Sequence, residues 1–180
     1  MVFFMKRRAE RIEHFKANPI EVQYKVFHDL LEASRYTDWG RKYRYDSIQT
    51  IKQYQERVPI SSYEDLYPSI ERVLHGDQNV LWPSDVEWFS KSSGTTNARS
   101  KYLPITPESL EECHYRGGRD VMTLYAQNRP GTLVFEGKGL SIGGSLHDNP
   151  FNSEGGMVGD VSAVIMRKRR CARWHGAVAF

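Results

Sequence analysis

The chain is 180 residues long, 39% hydrophobic, 12% aromatic and 26% charged, which is enough apolar material for a buried core and too much for a disordered segment. No run approaches the roughly 18 to 20 apolar residues of a membrane-spanning helix, and the two cysteines, Cys113 and Cys171, make neither a disulfide framework nor a metal-ligand spacing. The formal charge of +3 belongs to the tail: five of the 25 lysines and arginines fall in 167–173, so residues 1–166 carry 20 bases against 22 acids, which excludes a nucleic-acid-binding face spread over the body.

In chain order, the apolar Met1–Met5 precedes Lys6-Arg7-Arg8, the reverse of a secretory signal, and a cytoplasmic protein is expected. Residues 6–17 are good helix formers. Asn18-Pro19-Ile20-Glu21 has the composition of a capped helix start, and Val22, Val26, Phe27, Leu30 and Leu31 behind it share one helical face. That helix is expected to end at Asp38-Trp39-Gly40. Thr50 and Gln53 form a second capping pair, ahead of a short helix stopped by Val58-Pro59. Ser62 with Glu64-Asp65 opens a third helix through Ile70, Val73 and Leu74, closed by His75-Gly76, with Pro68 in its first two turns.

From Asn79 the pattern changes to short β-prone runs, Val80–Trp82 and Val86–Phe89, and then to Lys101–Ile105 beyond a polar stretch. Thr106-Pro107-Glu108 starts a long helix to about Gln127, interrupted by Gly117-Gly118. Thr132–Phe135 and Leu140–Ile142 read as further strands. Helices first, then strands around one long helix, imply an α/β fold. Residues 1–166 make the folded part. Residues 167–180 show no helix or strand period and read as a basic, disordered or frame-shifted tail, with nuclear import or RNA binding as the functional alternative.

Chemistry concentrates in the polar stretch between the second and third β-prone runs. Ser92, Ser93, Thr95 and Thr96 offer four hydroxyls, Gly94 lets successive N–H groups turn into one concavity, and Lys91, Arg99 and Lys101 add positive charge. Such a loop can wrap a polyphosphate. It is neither a Walker loop nor a dinucleotide fingerprint. By composition alone, a stretch of this kind is more often a plain loop.

The string from Ser92 to Pro104 resembles the ATP-phosphate loop of the adenylate-forming superfamily. More narrowly, it resembles the first nucleotide motif of the auxin-responsive promoter family, the Gretchen Hagen acyl-acid amido synthetases. The matching positions are Ser92, Ser93, Gly94, Thr95, Thr96, Lys101 and Pro104, with Ala98 where a glycine is usual. Leu30-Leu31, Thr37–Tyr43, Val58–Asp65, Ile70–Gly76, Leu81–Pro83 and Gly137–Leu140 are similar to further family motifs in the same order, over about residues 20–165.

The resemblance implies part of the mixed sheet of a luciferase-like large domain, incomplete at this length. It implies activation of a carboxylic acid by ATP and Mg²⁺ as an acyl-adenylate, followed by transfer to an amine or amino acid. On that reading Ser92, Ser93, Gly94, Thr95 and Thr96 contact the β- and γ-phosphates, Lys101 supports them, and no residue acts as a general base, nucleophile or metal ligand. The later nucleotide motifs are not found before Phe180, so an N-terminal fragment is expected, inactive alone and poorly soluble through exposed edges and apolar surface.

Other residues carry weaker signals. His114 reads as an ordinary helix histidine. His147-Asp148-Asn149 reads as an Asx-type turn or, less readily, as pocket lining. Gly143-Gly144-Ser145 could let the backbone approach a ligand. A non-catalytic nucleotide- or anion-binding module that keeps only the loop is the alternative function. A basic-tailed nucleic-acid adaptor ranks well behind both.

Overall fold

A computed structural model describes residues 3–92, 100–136, 140 and 142–171. The first half is helical: α1 (Phe3–Ala17), α2 (Pro19–Ser34), α3 (Asp38–Tyr43), α4 (Ile51–Arg57) and α5 (Tyr63–Leu74). Strands β1 (Trp88–Lys91) and β2 (Tyr102–Ile105) follow. A π-helical stretch, Ser109–Tyr115, then leads into α6 (Arg116–Asn128), before β3 (Leu146–Asp148), β4 (Met157–Gly159) and α7 (Val161–Cys171).

The sheet runs in the order β2-β1-β4-β3. β1 is antiparallel to β2 and parallel to β4, while β3 and β4 are antiparallel. This is a mixed sheet behind a helical N-terminal half, as the α/β reading expects. Alternation along β1 divides the core between its two faces. Phe89 and Val158 pack with Ile70, Val73 and Leu74 of α5 on one side. Ile105, Trp88 and Leu146 pack with Val161, Val164 and Ile165 of α7 on the other. The sheet is therefore the middle of three layers.

The local start signals decide where several helices begin. Thr50 accepts the Gln53 N–H at 3.2 Å while the Gln53 side chain bonds back, and Ser62 does the same with Asp65. At α3, Thr37 Oγ1 accepts the Gly40 N–H at 2.9 Å, and the carbonyls of Asn79 and Val80 take the N–H groups of Asp38 and Trp39. All three leading amides of that helix are thus satisfied. A Cβ at Gly40 would lie 2.1 Å from the Ser34 carbonyl, so this turn needs glycine.

Several expectations are corrected. Asp38-Trp39-Gly40 begins a helix instead of ending one, because Thr37 caps it and α2 has already stopped at Ser34. Asn18 makes no side-chain cap on α2; its amide donates back to the His14 carbonyl at 3.0 Å and finishes α1. Residues 80–82 form no strand, since the Val80 carbonyl is taken by α3. Thr132–Phe135 is turn and coil, with Leu133 exposed; of Leu140–Ile142, residues 140 and 142 are exposed coil and residue 141 lies outside the described residues. The strands that form after α6 among the described residues are β3 and β4. The break in the long helix falls before Gly117-Gly118, in the π-helical turns. α7 runs past residue 166 to Cys171, so the expected boundary at 166 falls inside a helix; residues 172–180 lie outside the described residues.

Candidate functional site

Strands β1 and β2 form the hairpin that carries the Ser/Thr/Gly-rich loop. Trp88 pairs with Ile105, Phe89 with Pro104, Ser90 with Leu103 and Lys91 with Tyr102. One step further, the Ser92 N–H donates to the Lys101 carbonyl at 2.9 Å, and the Lys101 N–H donates to Ser92 Oγ at 3.2 Å. Ser92 and Lys101 are therefore the two feet of the loop. Of the other predicted site residues, Ser93, Gly94, Thr95 and Thr96 lie outside the described residues, as do Ala98 and Arg99.

The hairpin places the loop at the carboxyl end of β1. Because β4 lies parallel beside it, Ser90 and Gly159 are neighbours, and the turn into α7 leaves from the same end of the sheet. Ligands of α/β sheets bind beyond the carboxyl ends of parallel strands, and the loop's feet at Ser92 and Lys101 stand at that end. The opposite end of the sheet holds a wide groove of about 470 Å³ lined by Glu87, Asn149, Asn152, Glu154, Gly156 and Met157. It opens at the amino ends of β1 and β4, away from the loop.

Charge at the loop's foot is balanced. Lys101 Nζ stands 4.8 Å from the centroid of the Tyr63 ring and 3.5 Å from Glu64 Oε1. Glu64 and Asp65 occupy the first turn of α5, where the helix dipole favours negative charge. Hydrogen bonds to its own backbone N–H, together with the nearby Lys101 ammonium, outweigh desolvation and hold the Glu64 carboxyl below its ordinary value. Asp65 is held down by the hydrogen bonds from the Ser62 hydroxyl and backbone.

The weaker sequence signals separate cleanly. His114 is exposed on the π-helical stretch. His147 and Asp148 lie in β3, whereas Asn149 is buried and closes an Asx turn by accepting the Phe151 N–H at 3.0 Å. Its amide also donates to the Leu74 carbonyl at 2.8 Å and so finishes α5. Gly144 and Ser145 lie against the start of α7: their N–H groups donate to Ser162 Oγ and Asp160 Oδ2. A Cβ at Gly144 would collide with the Asp160 carboxylate.

Tyr63 was not singled out by sequence reasoning. Its contact with Tyr102 spans 39 positions, and a tyrosine behind an N-cap serine carries no local sign of such a partner. Among the described residues no group of three or more His, Cys, Asp and Glu side chains is placed to hold a metal ion.

The fold as a whole is shared with solved structures. A solved structure described as the AtGH3.15 acyl acid amido synthetase in complex with 2,4-DB superposes with a TM-score of 0.78, at 20% identity, over 93% of this chain and 29% of that one. A second, the GH3.15 acyl acid amido synthetase, gives 0.74 over 88% and 28%.

The family follows from sequence: the model of the GH3 family N-terminal domain matches residues 8–175, and the chain belongs to the GH3 family. It is 33% identical over 132 residues to the indole-3-acetic acid-amido synthetase GH3.2 of Arabidopsis thaliana, covering 72% of this chain and 23% of that protein. It is 30% identical over 136 residues to the probable indole-3-acetic acid-amido synthetase GH3.2 of Oryza sativa subsp. japonica, covering 74% and 21%. The chain thus spans less than a quarter of the length of these curated relatives.

Proposed function

We propose that this chain supplies the ATP-phosphate-binding part of an acyl acid amido synthetase, an enzyme that joins a carboxylic acid to an amine or amino acid. The observation that carries the reading is the β1–β2 hairpin, which holds the Ser92–Lys101 loop at the carboxyl end of parallel strands in a chain of the GH3 family. Relatives found by sequence and by structure are described as amido synthetases, which favours a ligase over a bare binding module.

The donor set fits a nucleotide polyphosphate. The Ser92 hydroxyl accepts the backbone N–H of Lys101 and keeps its own hydrogen to donate, and the Lys101 ammonium stands half-exposed between the Tyr63 ring and Glu64. In this reading Ser92, Ser93, Gly94, Thr95 and Thr96 hold the β- and γ-phosphates, and Lys101 offsets their charge. ATP supplies a good leaving group for a carboxylate oxygen that is otherwise a poor one. Mg²⁺ would enter with the nucleotide, held by its phosphates, and no step is assigned to it. No described helix is long and apolar enough to cross a membrane, and a cytoplasmic setting is part of the same proposal.

The test is isotope exchange between pyrophosphate and ATP with a panel of carboxylic acids, run on this chain and on a longer protein that contains it. Exchange that requires the acid, and that Ser93→Ala with Thr95→Ala removes, supports the ligase. Tight Mg·ATP binding with no acid-dependent exchange in the longer protein supports the module instead.

A further inference from the structure

We propose that Tyr63 is a positioning residue for the loop: its hydroxyl and ring together set where Lys101 stands at the loop's foot. The role rests on the reading of residues 92–101 as a phosphate-binding loop. Tyr63 is the first residue of α5, and the reciprocal bonds between Ser62 and Asp65 hold that helix start in place. Its hydroxyl accepts the Tyr102 N–H at 2.9 Å and donates to the Tyr102 carbonyl at 3.3 Å.

Both of those backbone groups face the open side of β2, which is the terminal strand of the sheet. Tyr102 alternates with Leu103, so it cannot direct them at β1. Pro104, two residues on, shares the outward orientation, and a proline has no N–H to leave unpaired there. Of the two, Tyr102 alone has an N–H to satisfy on that side, and a single phenol pairs both its N–H and its C=O as a further strand would.

The same residue reaches Lys101 by its other end. The Lys101 ammonium stands over the Tyr63 ring, and Glu64, the next residue of α5, lies beside it. An ammonium on a ring face keeps its charge and its donors while its direction is restrained. The hydroxyl thus fixes the backbone after Lys101, the ring fixes the side chain, and the Ser92–Lys101 bonds pass both constraints to the opposite foot. Tyr63 and Tyr102 both pack on the core of Ile70, Val73, Leu74 and Phe89, so the restraint is rooted in a buried cluster.

Two variants separate the parts. Tyr63→Phe keeps the ring and removes the hydroxyl, and Tyr63→Leu removes both. Amide hydrogen exchange at Tyr102 and calorimetric affinity for Mg·ATP are read together on the whole chain, with the unfolding temperature as a third measurement. Tyr63→Phe should speed exchange at Tyr102 by about tenfold or more and weaken Mg·ATP several-fold, and Tyr63→Leu should weaken it further. A tyrosine that is only structural would lower the unfolding temperature in both variants and leave the affinity of the folded protein at the wild-type value; that result overturns the proposal. Wild-type exchange at Tyr102 in Tyr63→Phe overturns it as well. Failure of the loop reading looks different: wild-type protein then binds no Mg·ATP, Ser93→Ala with Thr95→Ala changes nothing, and the positioning role falls with it.

Discussion

Asn149 does with one side chain what two loops would otherwise have to do. It is 6% exposed, accepts the Phe151 N–H and donates to the last carbonyl of α5 across 75 positions. Asn149→Ala strands the Leu74 carbonyl in the core, so unfolding by urea should show a loss of about 1–3 kcal/mol; a midpoint equal to wild type would contradict this role. The turn itself was legible, since an Asn among turn residues predicts its own bond two residues on. The long-range bond was not, because nothing near Asn149 in sequence marks Leu74. Asp65 gives a pH dependence. Its carboxyl is held below the ordinary value by the Ser62 hydroxyl and backbone, so the carboxylate stabilises the helix start above about pH 4, and that contribution is lost as pH falls through the depressed folded value. Asp65→Asn should flatten the fall of the thermal midpoint in that acid range, and a curve as steep as wild type would speak against the capping role.

Two helix starts set by local chemistry were readable, whereas the Thr37 cap of α3 and the elements that depend on distant partners were not. The capping boxes at Thr50 and Ser62 form as their spacing predicts, and α5 buries Ile70, Val73 and Leu74, the face that the sequence marks. The hairpin also follows from the two β-prone runs around the polar loop. By contrast β3 and β4 are three residues each, and Gly159 fits only because its backbone lies against the Ser145 carbonyl, where a Cβ would sit at 2.1 Å. No propensity announces that. The helix α7 was obscured by the basic run at its end, though Val161, Val164 and Ile165 keep a helical spacing that could have revealed it. The central strand is the element to test: Phe89 is 1% exposed and packs with α5, so Phe89→Ala should cost about 3–5 kcal/mol and lower the urea midpoint sharply. A loss under about 1 kcal/mol would mean that the layer can close over the gap, against the packing described.

For the molecule as a whole, the first helix is tied to the middle of the chain. Arg8 in α1 makes a two-point ion pair with Asp120 in α6, one bond at 2.6 Å, with both side chains largely shielded. Removing one partner leaves a shielded charge without its counter-ion, so Asp120→Ala should lower stability by about 1–3 kcal/mol; equal urea curves would show that α1 docks without it. Apolar side chains such as Ile60, Leu140 and Ile142 stand almost fully in solvent. Family motifs made the loop legible, and the hairpin shows how its feet at Ser92 and Lys101 are held, while its middle residues remain a proposal. Calorimetric titration of Mg·ATP into the wild-type chain and into Ser93→Ala with Thr95→Ala bears on that point most directly. Binding that pyrophosphate competes away and that the double variant loses is the expected result; equal heats for both proteins would contradict a phosphate-gripping loop.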